Sequence, residues 1–356
     1  MLHPTIRTGT ATRDLRPTAR ARVADVDPHA ALIEIATLLE RERADAYKAK
    51  AFRTAAAAIA DLDDAVLRDP IRLKAVRGVG ASSQRVIQQA VEGRTPERLI
   101  ELRERAGMLR ESELRRMLRG DLHSHSDWSD GTTSIELMVA GARDLGHEYL
   151  ALTDHSPRLT IANGLSAERL ERQLEVVADR STADVTLLSG IEVDILDDGA
   201  LDQRPDLLAR LDVVVASVHS KLRMDAREMT RRMLTAVADP HTDVLGHVTG
   251  RLVEGSRGTR PPSEFDAAAV FAACAERGVA VEINSRPERQ DPPDELLALA
   301  LDAGCLFAID SDAHAPGHLS LLDHGAERAE RAGIPPERIV TTWPLERLQE
   351  WLGRDR

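Results

Sequence analysis

Residues 212–219 read Asp212-Val213-Val214-Val215-Ala216-Ser217-Val218-His219. An unbroken apolar run of this length, rich in β-branched side chains, fits a strand buried on both faces. The same grammar recurs along the chain: Tyr149–Thr153 leads to His155, Val185–Leu188 to Glu192, Asp243–Leu245 to His247, and Leu306–Ile309 to Asp312 and His314. Val279–Ile283 is a further run, and Asp121-Leu122 a short one that leads to His123 and His125. Amphipathic helices are predicted between most of them, over Ile135–Leu145, Ala167–Ala178, Arg227–Val237, Glu264–Glu276 and Asp294–Ala303. Strand–helix alternation predicts an α/β fold of seven units with parallel strands, either an open doubly wound sheet or a closed barrel.

The first third of the chain reads differently. Ala31, Leu32, Ile35, Leu38 and Leu39 recur at helical spacing. A second helix is predicted from Ala46 to Leu62, with shorter ones at Asp64–Leu67 and Pro70–Val76. Arg77-Gly78-Val79-Gly80 then precedes a helix over Ser82–Val91, and Pro96 suits the first turn of the next, which runs to Ala106. Three regions are expected: a disordered tail over 1–26, a helical domain over 27–118 and an α/β domain over 119–356. At roughly 150 residues per domain, 356 residues fit two domains.

Charge divides at the same junction. Residues 1–120 hold 23 Lys+Arg against 17 Asp+Glu, net +6, whereas 121–356 hold 24 against 42, net −18. A net charge of −12 argues against a generic nucleic-acid binder, but the basic front and acidic back suggest two separate tasks. Two cysteines, Cys274 and Cys305, each in an apolar run, make no disulfide framework. No apolar stretch is long enough to span a bilayer and no secretory signal opens the chain, so a cytoplasmic location and no membrane partner are expected.

Six of twelve histidines fall just past strands: His123, His125, His155, His219, His247 and His314. Glu192 follows the Val185–Leu188 run, Asp312 shares a turn with His314, and Asp130 lies on the loop after His125. Ligands of α/β folds bind beyond the carboxyl ends of the strands, so these nine side chains should converge. In an extended segment residues two apart share a direction, which lets His123 and His125 reach one ion. Nitrogen and oxygen donors without thiolate suit zinc, manganese or iron, and nine ligands exceed what one ion takes, so two or three divalent metal ions are implied. Lys221, Arg251 and Arg286 follow site strands and are candidates for gripping phosphate, with Asn284 as a polar substrate contact. Trp128, beside the ligand loop, could stack on a base or pack in the core.

The runs Asp121-Leu122-His123-Ser124-His125-Ser126, Trp128-Ser129-Asp130-Gly131, Thr153-Asp154-His155-Ser156, Gly190-Ile191-Glu192-Val193-Asp194, Ala216-Ser217-Val218-His219-Ser220, Gly246-His247-Val248-Thr249-Gly250-Arg251, Glu282-Ile283-Asn284 and Asp310-Ser311-Asp312-Ala313-His314 resemble the PHP (polymerase and histidinol phosphatase) family. The likeness is greatest to the C-terminal PHP domain of bacterial family X DNA polymerases. It implies a distorted (β/α)7 barrel with a trinuclear site. His123, His125, Glu192 and Asp312 would hold one metal, Glu192, His219 and His247 a second, and Asp130, His155 and His314 a third. Glu192, His219 and Asp312 would be central to catalysis. Tyr47-Lys48-Ala49-Lys50-Ala51-Phe52-Arg53 and Val76-Arg77-Gly78-Val79-Gly80 resemble the helix-hairpin-helix domain of the same polymerases, which implies that Gly78 and Gly80 approach a DNA phosphate.

The nucleotidyltransferase domain that separates these units in the polymerases is missing, so no polymerase activity is expected. Ala81–Val91 contains no lysine, which puts abasic-site lyase chemistry in doubt. The resemblance therefore implies a metal-dependent phosphoesterase acting on nucleic-acid ends, as a 3′–5′ exonuclease or 3′-end processing enzyme, with DNA as partner. A small-molecule phosphomonoesterase of the histidinol phosphatase type is the alternative, and a DNA-binding scaffold with a vestigial metal site a third reading.

Overall fold

The computed structural model describes residues 26–106, 112–255 and 258–353. The tail expected over 1–26 lies, but for its last residue, outside the described residues.

Helix formation begins where the sequence supplies caps. Asp27 accepts the amide of Ala30 at 2.8 Å and Pro28 fills the first position of α1 (Pro28–Arg41). Asp45 does the same for α2 (Ala46–Ile59), accepting from Tyr47 at 3.0 Å. α3 (Asp64–Leu67), α4 (Pro70–Lys74), α5 (Ala81–Val91) and α6 (Glu97–Ala106) complete the helical unit. Its apolar faces meet in a core of their own, among them Leu32, Ile35, Phe52, Ile59, Ile87 and Leu99. α7 (Glu113–Met117) follows.

Seven strands then alternate with helices: β1 (Gly120–Asp121), α8 (Ile135–Asp144), β2 (Tyr149–Leu152), α9 (Ala167–Ala178), β3 (Thr186–Asp194), α10 (Pro205–Leu208), β4 (Val213–Ser217), α11 (Ala226–Ala238), β5 (Val244–Leu245), α12 (Ala267–Arg277), β6 (Ala280–Asn284), α13 (Asp294–Asp302), β7 (Leu306–Asp310), α14 (Leu322–Arg331) and α15 (Leu345–Leu352). Every strand pair is parallel and the spatial order is the chain order. A doubly wound sheet reverses its order part-way, so this order decides for the barrel. Closure between the last strand and the first comes through Ser124 and Ala313, where the His125 amide donates to the Ala313 carbonyl at 2.7 Å.

β3 runs to Asp194, well beyond the Val185–Leu188 run that the apolar pattern marks. Ser189 and Gly190 interrupt that pattern without ending the strand. A Cβ on Gly190 would lie 2.8 Å from the Val213 carbonyl oxygen and 2.9 Å from Thr153 Cγ2, so here glycine permits a close approach of neighbouring strands. The extension carries Glu192. Val213 and Val215, Ala280 and Ala308 pack together in one buried cluster. Two residues further along the same strand faces stand Ser217, Glu282 and Asp310, and the polar side chains of the site follow at the carboxyl ends.

The helical unit packs directly on the barrel. Gly317 fits against α1 so closely that a Cβ there would lie 2.2 Å from the Thr37 carbonyl oxygen. Its amide donates to Glu40 Oε2 at 2.9 Å, and Glu40 forms a buried bidentate pair with Arg53, both contacts at 2.7 Å. Arg43 bridges to Glu254 and Glu288, and Arg41 to Asp323. Among the described residues, no helix is long and apolar enough to cross a membrane.

Candidate metal centre

Strand alternation and the loops beyond it bring all nine predicted side chains together at the carboxyl ends of the strands. Glu192 is the hub. His247 Nε2 lies 2.8 Å and His219 Nε2 3.1 Å from its Oε1, while His155 Nδ1 lies 2.8 Å, His123 Nε2 3.4 Å and His125 Nε2 3.7 Å from its Oε2. Asp312 Oδ1 is 3.5 Å from His125 Nε2. Asp130 Oδ1 is 3.3 Å from His314 Nε2 and 3.5 Å from His155 Nε2. Three overlapping groups could each hold an ion: His123 with His125 and Asp312; His155 with Glu192 and His219; and His125, Asp130, His155 and His314. His125 and His155 are each shared by two groups. His247 joins none of them, although it touches Glu192.

The donor set fits divalent cations. Two ligand atoms each about 2.1 Å from one ion at a tetrahedral angle stand about 3.4 Å apart. Several separations here cluster at that value, too long for good hydrogen bonds. His123 Nε2 and both ring nitrogens of His125 are buried without any hydrogen-bond partner, a costly state unless a lone pair is used. Burial alone would push the Glu192 carboxyl up, but His219, His123 and His155 hold it well below the ordinary range. Asp312, likewise buried, is held down by Arg286 and His125. Burial lowers the histidines, but carboxylates outweigh it: Glu192 and Asp130 at His155, raised to about 10, Glu192 and Glu282 at His123, and Glu192 and Asp194 at His219. His125 keeps the effect of burial and, beside His314 and His155, drops to about 3. Cations bound there would supply the positive charge that these carboxylates call for, displacing any protons from the rings.

A second layer orients these ligands. Glu282 Oε1 lies 2.6 Å from His123 Nδ1, and its other oxygen accepts the His247 amide. Asp194 stands 2.5 Å from His219 Nδ1. Each carboxylate fixes the ring so that Nε2 faces the centre. Asp154 holds the loop that carries Asp130, accepting from Ser126, Ser129 and Gln173. Asp312 has a left-handed φ of 52°, strain of the kind kept at functional sites. His318 Nδ1 accepts the amide of His314 at 3.2 Å.

The predicted substrate contacts divide. Arg286 reaches the centre, its Nη1 3.2 Å from His314 Nδ1 and 3.5 Å from Asp312 Oδ1. Asn284 is fully buried and donates to Glu282 and Asp312, so it joins two site carboxylates. Arg251 donates to the carbonyls of Arg289 and Gln290. Lys221 is 63% exposed and paired with Asp197. Trp128 packs against the core. Sequence reasoning missed Glu282, Asp194 and Arg289, whose Nε lies 3.2 Å from Asp312 Oδ2.

In the hairpin, Gly78 needs its glycine, with φ +99° and Thr54 Cγ2 3.1 Å from a would-be Cβ. Gly80 differs: nothing lies within 4 Å of a Cβ there. Its amide donates to Ser83 Oγ at 2.9 Å, so the free amides at this helix start are those of the residues after it. A cleft of about 1020 Å³ opens between the domains, lined by α1 and α2 on one side and by Asp130, Arg286 and His314 on the other.

Residues 121–286 match the PHP domain, and residues 27–96 match a helix-hairpin-helix domain. The chain carries both domains. A DNA polymerase/3′–5′ exonuclease PolX of Bacillus subtilis is 35% identical over 240 residues, 67% of this chain and 41% of that protein. The chain therefore spans well under half of that relative's length. A probable phosphatase of Edwardsiella ictaluri is 29% identical over 244 residues, 66% of this chain and 94% of the relative. A crystal structure of histidinol phosphate phosphatase from Lactococcus lactis, with zinc, L-histidinol and phosphate, aligns with a TM-score of 0.44 at 18% identity, covering 61% of this chain and 94% of that one.

Proposed function

We propose that this PHP-domain protein is a metal-dependent phosphoesterase that removes nucleotides or blocking groups from nucleic-acid 3′ ends. The observation that carries the reading is the placement of the metal centre in a cleft whose other wall is the helix-hairpin-helix domain. A small phosphate ester needs no such wall. The exonuclease named in the Bacillus relative supports the same substrate class.

His123, His125, Glu192 and Asp312 would hold one ion, Glu192 with His219 and His247 a second, and Asp130, His155 and His314 a third. Manganese, zinc and iron all suit these donors. Ions bound there activate water and offset charge on the phosphoryl oxygens. The protein supplies position. Glu282 and Asp194 hold His123 and His219 in the required tautomer, Asn284 and Arg289 fix Asp312, and Arg286 presents a guanidinium beside His314 for a phosphate oxygen. No side chain is called on as a nucleophile, and Glu192, His219 and Asp312 act through the ions they hold.

A panel of a 3′-recessed oligonucleotide, a phosphodiester and phosphomonoesters, assayed with Mn²⁺, tests the reading. Release of 3′ nucleotides at the highest kcat/KM is the expected result. Preference for a phosphomonoester would move the small-molecule reading ahead. The −18 charge over residues 121–356 and the phosphatase relative, matched along 94% of its length, favour that second reading.

The two hairpin glycines should separate. Gly80→Val is expected to leave the domain folded and weaken DNA binding, because its side chain enters open space where a backbone phosphate would approach. Gly78→Val should instead destabilise the domain by more than about 1 kcal/mol, since a β-branched residue resists a positive φ. Circular dichroism melts with DNA affinities in parallel check both. A folded Gly80→Val variant with unchanged affinity would show the hairpin to be structural.

A further inference from the structure

The cation census of the cleft is uneven. Arg43 is held by Glu254 and Glu288, Arg53 by Glu40, and Arg286 by Glu288 and Asp312. Lys50 is exposed, lines the same cleft from α2, and pairs with no carboxylate among the described residues. Ala46, Ala49, Lys50, Arg53 and Thr54 all line the cleft, at spacings that place them on one face of α2. Thr54, at the end of that face, is the residue against which Gly78 of the hairpin packs. Four residues along a helix are about 6 Å, comparable to one or two phosphate steps along a strand. Hairpin, Thr54, Lys50, Asp130 and His314 thus form one continuous surface.

From this we infer that α2 of the helical domain is a wall of the active site and that Lys50 binds a backbone phosphate one or two nucleotides from the scissile ester. The inference rests on the 3′-end reading. Its chemistry is specific. A phosphate at the metal centre would meet the ion that Asp130 and His314 hold, with the Arg286 guanidinium beside it, and a substrate with a single phosphoryl group has no charge left for the other wall. A strand has a second phosphate, and Lys50, the one of these four cations with no carboxylate partner among the described residues, meets it there. Lys50 is therefore a specificity-determining residue that selects polymers over small esters.

Lys50→Ala, Lys50→Glu and Lys50→Arg in the full, metal-loaded chain test this against wild type, on a 3′-recessed oligonucleotide and on bis(p-nitrophenyl) phosphate. Lys50→Ala should raise KM for the oligonucleotide about tenfold, the value of one charge-assisted contact, and Lys50→Glu more. Lys50→Arg should restore most of the loss, and the small diester should be unaffected throughout. The slope of log(kcat/KM) against log salt on the oligonucleotide should fall by about 0.7, the share of a single-strand phosphate contact. Fluorescence anisotropy in a Glu192→Ala background should show the same loss of affinity without turnover. Equal losses on both substrates, or an unchanged salt slope, overturn the role of Lys50. If wild type cleaves oligonucleotides and Lys50→Glu matches it, that role alone falls. If wild type cleaves only small esters, the 3′-end reading falls and takes this one with it.

Discussion

Glu192→Ala is expected to lower phosphoester hydrolysis by about 10³-fold or more. Partners that only orient a ligand are worth about 10–100-fold, and Glu192 is a proposed ligand shared between two ions. Each of its oxygens faces imidazoles, His247 and His219 on one side and His155 and His123 on the other. With His125 also 3.7 Å away, its removal leaves five rings without their common anion. Elemental analysis should find two or three ions per wild-type chain and a loss of at least one in the variant. Glu282→Ala serves as the graded comparison. It removes the 2.6 Å contact to His123 Nδ1 and the acceptor of the His247 amide while leaving every proposed ligand, so a loss of about 10–100-fold is expected. Glu192→Ala with wild-type turnover and full metal content would show that the hub is elsewhere.

Eight of the nine ligand-type residues were legible because a strand end is legible; Asp130, on the loop between β1 and α8, was legible only from its place after His125. An apolar run followed by histidine or carboxylate places the side chain at the barrel mouth, whatever the exact strand boundary. The supporting layer was legible by the same rule but was not read. Glu192 and Asp194 alternate on β3, as do Glu282 and Asn284 on β6, just as His123 and His125 alternate after β1. Residues two apart on a strand share a face, so a carboxylate two away from a ligand, as Asp194 is, or from another polar site residue, as Glu282 is, faces the same mouth and is a candidate orienting partner. The structure places Asp194 against His219 and Glu282 against His123.

The cations were less legible, because position after a strand says nothing about which carboxylate or carbonyl is nearer. Lys221 meets Asp197 and Arg251 meets the Arg289 and Gln290 carbonyls, contacts set by loop paths that leave no periodic trace. The choice between open sheet and barrel also stayed open in the sequence, since both alternate strand and helix. Strand order decided it, and strand order is a long-range property. The same holds for the docking of the helical domain. A charge change near Gly120 marks where two units meet without showing that they touch.

That docking gives the second large effect, the loss of the Glu40–Arg53 pair. Arg53→Leu is expected to destabilise the folded chain by about 3–5 kcal/mol, because it leaves Glu40 buried and uncompensated. At roughly 2–4 °C per kcal/mol this is a fall in Tm on the order of 10 °C, read by thermal denaturation. Glu40 has two tasks: its carboxylate takes Arg53 through both oxygens and also accepts the Gly317 amide at 2.9 Å. Gly317 lies three residues after His314, so the pair braces the segment that leaves the metal centre. A purely local ion pair would cost stability and spare the site. A brace predicts more: at a temperature where Arg53→Leu remains folded, metal content should also fall. The double variant Glu40→Gln with Arg53→Leu removes the stranded charge while keeping an acceptor for the Gly317 amide. It should recover much of the stability lost by Arg53→Leu, since replacing both members of a buried pair costs far less than breaking it. A single variant that melts with the wild type would show that the two domains hold together without the pair. A double variant no more stable than the single would show that the loss comes from packing around Arg53 and not from a stranded carboxylate.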